Sequence, residues 1–169
     1  MTKKQIIEDI EIAKRYLDGF HLLVPENKIL LDCIFIAPFH WKSFFIQVEI
    51  KNGKYHASCA FPHYSDFVGC ESFSGSFENV EKKDRHAAIK GDVFCKIIQP
   101  DKHLIEAIIQ QVKEYKAANS NMENIVVIDG ITARVRLYEH GCVIRDVCLY
   151  PADNDEKLLD MLISFSETI

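Results

Sequence analysis

The chain has 169 residues, a formal net charge of −5, and 48 % hydrophobic against 27 % charged residues. That is ordinary for a globular chain with a substantial core, and the acidic balance argues against a nucleic-acid binder, which needs a basic face for the phosphates. No run of apolar residues is long enough to span a bilayer. Met1-Thr2-Lys3-Lys4 leads straight into a helical pattern with no apolar stretch of the signal-peptide kind. We therefore expect a cytoplasmic protein with reduced cysteines, the six being scattered at 33, 59, 70, 95, 142 and 148.

In chain order, Thr2 to Asp18 reads as a helix. Thr2 and Gln5 have capping-box spacing, Ile6, Ile10, Ala13 and Leu17 recur on one face with Ile7 beside them, and Gly19 is placed to end the helix as its C′ residue. Lys28 to Ala37 is apolar after Lys28 except for Asp32, a strand buried on one face or both, and Pro38 stops it. Ser43 to Lys51 alternates, with Phe44, Ile46, Val48 and Ile50 expected inward and Gln47, Glu49 and Lys51 outward. Asn52-Gly53 is a two-residue hairpin turn, because both turn positions require φ > 0. Lys54 to Phe61 returns with Tyr55, Ala57, Cys59 and Phe61 on one face.

Between 62 and 92 the pattern is open. Ser72 to Phe77 fits a strand, and Asn79 to Lys90 fits either a loop or a short helix. Val93 to Gln99 is strand-like. Asp101 is placed to cap a helix whose buried face carries Leu104, Ile108, Val112 and Tyr115, widened by Ile105 and Ile109. Ile125 to Ile128, the turn Asp129-Gly130, the alternating run Ile131 to Tyr138 and the return Cys142 to Tyr150 form strand–turn–strand–turn–strand. A final helix starts near Asp153, whose spacing to Glu156 is that of a capping box, and buries Leu158, Met161, Leu162 and Phe165. Hairpins dominate, so the expected fold is a single α+β domain over residues 1–169. Its sheet, one or two in number, is mostly antiparallel and built of hairpins and meanders, with about three helices packed on one face.

Three groups of residues bear on function. His56, Cys59, His63 and Cys70 are all zinc-competent types, but no Cys-x-x-Cys occurs, and His56 and Cys59, three apart on a strand, point to opposite faces. A buried Cys59 beside solvent-facing histidines is the plainer reading, and neither a metal nor a cofactor is expected. Cys142 and Cys148 are expected on one face of a single strand about 20 Å apart, beyond disulfide reach. Arg134, Arg136 and Arg145 cluster on the last hairpin. A three-residue loop Glu139-His140-Gly141 would set Arg134 opposite Asp146, whereas a two-residue turn His140-Gly141 would set Arg136 opposite Arg145. Opposite charges across a strand pair stabilise it and like charges do not, so the three-residue loop and a charge-balanced face are expected. No Gly-x-Ser-x-Gly elbow, phosphate-binding glycine loop or His-Glu-x-x-His is present.

The most distinctive stretch lacks bases altogether. Between Lys54 and Lys82 there is no Lys or Arg, while Asp66, Glu71, Glu78 and Glu81 alternate with Phe61, Tyr64, Phe67, Phe73 and Phe77. Aromatics supply anchoring area and acids steer a basic partner, so Tyr64, Asp66, Phe67, Glu71, Glu78 and Glu81 are the candidate partner-binding residues. The competing reading is that the aromatics belong to the core and the acids only solvate it.

The unit Asp129-Gly130-Ile131-Thr132-Ala133-Arg134-Val135-Arg136-Leu137-Tyr138, followed by Gly141, Arg145-Asp146-Val147 and a Leu-rich terminal helix, resembles small bacterial immunity proteins that neutralise secreted polymorphic or contact-dependent toxins. The resemblance is confined to this C-terminal unit. It implies an acidic, cytosolic, non-enzymatic α+β protein that binds a toxin domain as its protein partner and blocks it, and no functional residue carries over. Two alternatives stand beside it: a small enzyme, such as a metal-assisted hydrolase using His56, His63 and the cysteines, and a ligand-binding regulatory domain with its pocket between sheet and helices.

Overall fold

The structure, a computed structural model, describes residues 3–37, 43–62, 93–116, 131–149 and 156–169. The helix α1 (Lys3–Gly19) leads through a 3-10 turn (Glu26–Lys28) into β1 (Leu31–Ile36), β2 (Phe44–Lys51), β3 (Lys54–Pro62) and β4 (Val93–Ile98). Then come α2 (Lys102–Glu114), β5 (Thr132–Glu139), β6 (Cys142–Leu149) and α3 (Glu156–Thr168). The described strands form one antiparallel sheet in the order β4-β3-β2-β1-β5-β6. The fold is α+β. No helix among the described residues is long and apolar enough to cross a membrane. The expected strands at 72–77 and 125–128, the turn at 129–130, and the caps Thr2 and Asp153 lie outside the described residues.

The helices do not share one face, as the sequence led us to expect. Alternate residues of the central strands enter two different cores. Cys33, Phe35, Phe44, Ile46, Ala57, Cys59, Val135 and Leu137 meet α2 and α3, and Phe44 touches Phe35 and Phe165 with ring centroids 5.1 Å away in each case. Ile34, Ile36, Phe45, Ala60 and Val93 meet Ile6, Ile10, Ala13, Tyr16 and Leu17 of α1 on the opposite side. The sheet is thus the middle of three layers, and β1, buried at every position, is apolar except at Asp32 because both its faces are covered. Two inward–outward assignments reverse for the same reason. Gln47 is only 1 % exposed, and Ile50, beyond the helices at the hairpin end, is 54 % exposed.

Helix ends follow local chemistry. The Asp101 carboxylate accepts the Leu104 N–H at 2.9 Å and caps α2 as expected. At the end of α1 the left-handed residue is His21 (φ 58°) rather than Gly19. Leu22 N–H donates to the Leu17 carbonyl at 2.8 Å and His21 N–H to that of Asp18 at 2.9 Å, the paired bonds of a Schellman ending. Leu22 then packs on the α1 core, and this apolar contact sets the stop later than the glycine.

The last hairpin resolves its charge conflict in a way not foreseen. His140 (φ 50°) and Gly141 (φ 80°) form a two-residue turn, with Glu139 opposite Cys142 and Tyr138 opposite Val143. The register then shifts, so that Leu137 faces Arg145 and Arg136 faces Asp146. Ile144 is the extra residue of a β-bulge. The bulge moves Arg145 to the α2 side of the sheet, and its guanidinium donates to the carbonyls of Val112 (3.4 Å), Lys113 (3.2 Å) and Tyr115 (2.6 Å) at the end of α2. A cation there meets the negative end of the helix and its unsatisfied carbonyls. Arg134 lies opposite Cys148, not Asp146 as expected. By the same shift Cys142 and Cys148 occupy opposite faces rather than one.

Two outcomes follow. Arg145→Ala takes the guanidinium away from the carbonyls of Val112, Lys113 and Tyr115 and releases the end of α2. Urea unfolding should then show a loss of about 2 kcal/mol or more, with amide exchange fastest in the last turn of α2. The second concerns pH. Burial drives the Cys33 thiol well above its ordinary value and those of Cys59 and Cys95 to about 12. Groups whose folded pKa lies above the unfolded value favour folding fully below the unfolded value and lose that contribution as pH rises. Stability should therefore be level below pH 9.0 and fall between 9.0 and 12. Denaturant midpoints measured across that range would check it, and a Cys33→Ala, Cys59→Ala variant should show a shallower fall.

Candidate functional site

The α1 layer covers only part of its side of the sheet. One cross-strand row there runs Ile97, Ser58, Gln47, Asp32, Arg136, Asp146 from edge to edge, and from β3 to β6 every member is polar. Asp32 is its centre. It is 1 % exposed on the central strand, where an unpaired carboxylate would be costly. Arg136, directly opposite on β5, donates Nε and Nη2 to its two oxygens at 2.8 and 2.5 Å. The Tyr138 hydroxyl donates to Oδ2 at 2.7 Å. Its ring lies beside the Arg136 guanidinium, 5.7 Å from centroid to Cζ.

The next cation along the strand pairs separately. Arg134 donates Nε and Nη2 to the Asp146 oxygens at 2.8 and 2.6 Å. The pairing expected from sequence therefore forms, but diagonally, two residues from direct opposition. The two bidentate ion pairs cancel, which is the charge-balanced face rather than an anion site. Protonation states follow. Burial alone would lower the Arg136 pKa, but its bonds to Asp32 outweigh this and raise it. The hydrogen bond that Arg134 donates to Asp146 raises its own pKa. Burial, the Asp32 charge and the bond donated to it hold the Tyr138 phenol well above its ordinary value, so Tyr138 remains a donor at neutral pH.

Beside Tyr138, the second half of α1 and the chain from Leu23 to Ile29 enclose a cleft of about 340 Å³. Gln47 forms part of it, and its Oε1 accepts the Val24 N–H at 3.0 Å. Sequence alternation placed Gln47 in solvent and gave no sign of this contact. A polar residue flanked by Ile46 and Val48, on a strand next to the largely apolar β1, was the one available hint.

The six partner-binding candidates, Tyr64, Asp66, Phe67, Glu71, Glu78 and Glu81, lie outside the described residues, as do His63 and Cys70. What the structure fixes is where their segment is rooted. Pro62 and Val93 are paired across β3 and β4, so the segment leaves and re-enters at one end of the sheet's β4 side. Phe61 and Phe94 stack there at 5.6 Å, with Lys96 Nζ 5.4 Å from the Phe61 centroid. His56 and Cys59 do occupy opposite faces, opposite Glu49 and Ile46 respectively. Among the described residues no three His, Cys, Asp or Glu side chains gather as a metal set. Buried and with its pKa raised to about 12, Cys59 is a thiol at neutral pH and lacks the thiolate a nucleophile needs.

Removing one partner of the central pair should be far more costly than removing both. Asp32→Ala leaves Arg136 and Tyr138 without their acceptor and should lower stability by about 3–5 kcal/mol, whereas Asp32→Leu combined with Arg136→Met should cost much less. A double-mutant cycle in urea measures the coupling. A coupling energy near zero would show that the pair does not tie β1 to β5.

No protein-family model, curated protein or solved structure matches this chain, and its function is argued from these surfaces alone.

Proposed function

We propose that this chain is a non-enzymatic protein-binding module, and specifically an immunity protein that binds and neutralises a cognate bacterial toxin domain in the cytoplasm. The observation that carries the reading is the connection between β3 and β4. Two to about five residues ordinarily join two paired antiparallel strands, whereas residues 63–92 separate the paired ends Pro62 and Val93, far more chain than the pairing requires. Residues 63–81 hold Asp66, Glu71, Glu78 and Glu81 with no Lys or Arg, and at the root Phe94, 52 % exposed, stacks on the half-buried Phe61.

That composition fits a basic partner. Acidic residues accelerate encounter and penalise wrong partners, and aromatic residues carry contact energy once docked. The balanced ion pairs of β5 and β6 hold the opposite end of the sheet together, and the base-free acidic run is confined to 63–81 within this segment. A toxin domain acting on nucleic acid would present the required basic surface.

The test uses the product of a toxin-like reading frame adjacent to this chain's own. Immobilised protein should retain that product, and Glu71→Lys, Glu78→Lys, Glu81→Lys together should weaken binding at least about tenfold, with a smaller salt dependence, while leaving the thermal midpoint unchanged. Equal affinity for variant and parent in calorimetric titration would remove 63–92 from the interface. Failure of the parent to bind would overturn the immunity reading.

A further inference from the structure

The cleft between α1 and the sheet has the makings of a ligand site distinct from the 63–92 segment. Its floor is Gln47, almost wholly buried. Because Oε1 accepts the Val24 N–H, the orientation of the carboxamide is set and Nε2 is left with two donor hydrogens. Nε2 has no hydrogen-bond partner among the described residues. Nε2 is not sealed from the cleft, and a donor held in a fixed orientation at the base of a cleft suits an acceptor oxygen of a ligand there.

The walls narrow the class further. Leu23, Val24 and Ile29 supply an apolar side. The mouth carries both signs: Lys14 and Arg15 against Glu11, Asp18 and Glu26. Lys14 is engaged with Glu11 at 3.6 Å, while Arg15, Asp18 and Glu26 form no ion pair among the described residues. A simple anion would meet a carboxylate excess, and a simple cation would leave Gln47 unsatisfied. The volume of about 340 Å³ is at the small end of ligand pockets, which run from about 300 to 1,000 Å³ and are usually largely apolar with a few placed polar groups.

We propose that this cleft binds a small zwitterion of the α-amino-acid class with an aliphatic side chain. The ligand's carboxylate accepts from Gln47 Nε2 and lies on the side of Arg15. Its ammonium meets Asp18 and Glu26, and its side chain lies against Leu23, Val24 and Ile29. Binding there joins α1 to the row that holds Asp32 and Tyr138, because Tyr138 borders the same cleft. The proposal does not rest on the docking role of 63–92, and either can fail without the other.

The experiment is thermal unfolding of the full chain with each free amino acid at about 10 mM, and with the N-acetyl and amide derivatives of any that act. At least one aliphatic amino acid should raise the midpoint by about 2 °C or more, increasingly with concentration, as expected for a ligand specific to the folded state. Both derivatives should lose most of the shift, since each removes one charge. Leu23→Trp, at a wall position already 40 % exposed, fills the cleft without entering the core and should abolish the response. Asp18→Asn with Glu26→Gln, both at exposed positions, should weaken it at least about fivefold. No concentration-dependent shift with any amino acid, or an undiminished shift in Leu23→Trp, would overturn the proposal.

Discussion

The sheet depends on a charge that its own burial makes expensive. Asp32 sits at the centre of the most buried strand, and only the bidentate bond from Arg136 and the hydroxyl of Tyr138 offset its desolvation. Those partners lie 104 and 106 residues away in sequence. The pair therefore joins the β1–β4 strands and the β5–β6 hairpin at the border that the described strands share, between β1 and β5. A hydrophobic residue at position 32 would bury more cheaply but would not select one register between β1 and β5. Moving β5 by one residue would turn Arg136 to the opposite face.

The same border explains why the bulge at Ile144 matters. Asp146 must reach the α1 side to pair with Arg134, and Arg145 must reach the α2 side to meet the helix end. Adjacent residues on a regular strand already point to opposite faces. If Ile144 were paired in the ladder instead of bulged, however, the tight turn at His140 and Gly141 would assign each to the wrong one. Gly141 also brings the hairpin tip to the 3-10 turn. A side chain there would begin 3.4 Å from the Asn27 Cα, in addition to the strain of φ +80°. One glycine and one inserted residue thereby position three arginines in three different roles.

The two functional proposals draw on opposite parts of this arrangement. The 63–92 segment is attached at the β4 side, away from the ion-paired row, and needs only a stable anchor at Pro62 and Val93. The cleft needs the row itself, since Gln47 and Tyr138 belong to or border it. The sheet thus anchors the two ends of 63–92 on one side and borders one small concavity under α1.

Much of the architecture was legible in the residues: the Asn52-Gly53 hairpin, the Asp101 cap, the buried stripes of all three helices, the alternation of Ala133, Val135 and Leu137, and the α+β class. These are local properties, set by φ preferences, side-chain periodicity and capping within a few residues. The layer to which α1 belongs, the burial of Gln47, the acceptor chosen by Arg136 and the bulge at Ile144 were not legible. Each depends on a contact between segments distant in sequence, and periodicity states that a residue is covered without stating by what. Among the described residues, the sequence by itself determined which segments are strands and helices and, apart from Gln47 and Ile50, most of the apolar positions on β2. Only the tertiary structure decided which helix covers which face and which charge finds which partner, because those choices minimise the cost of burying Asp32, Gln47 and the end of α2 together.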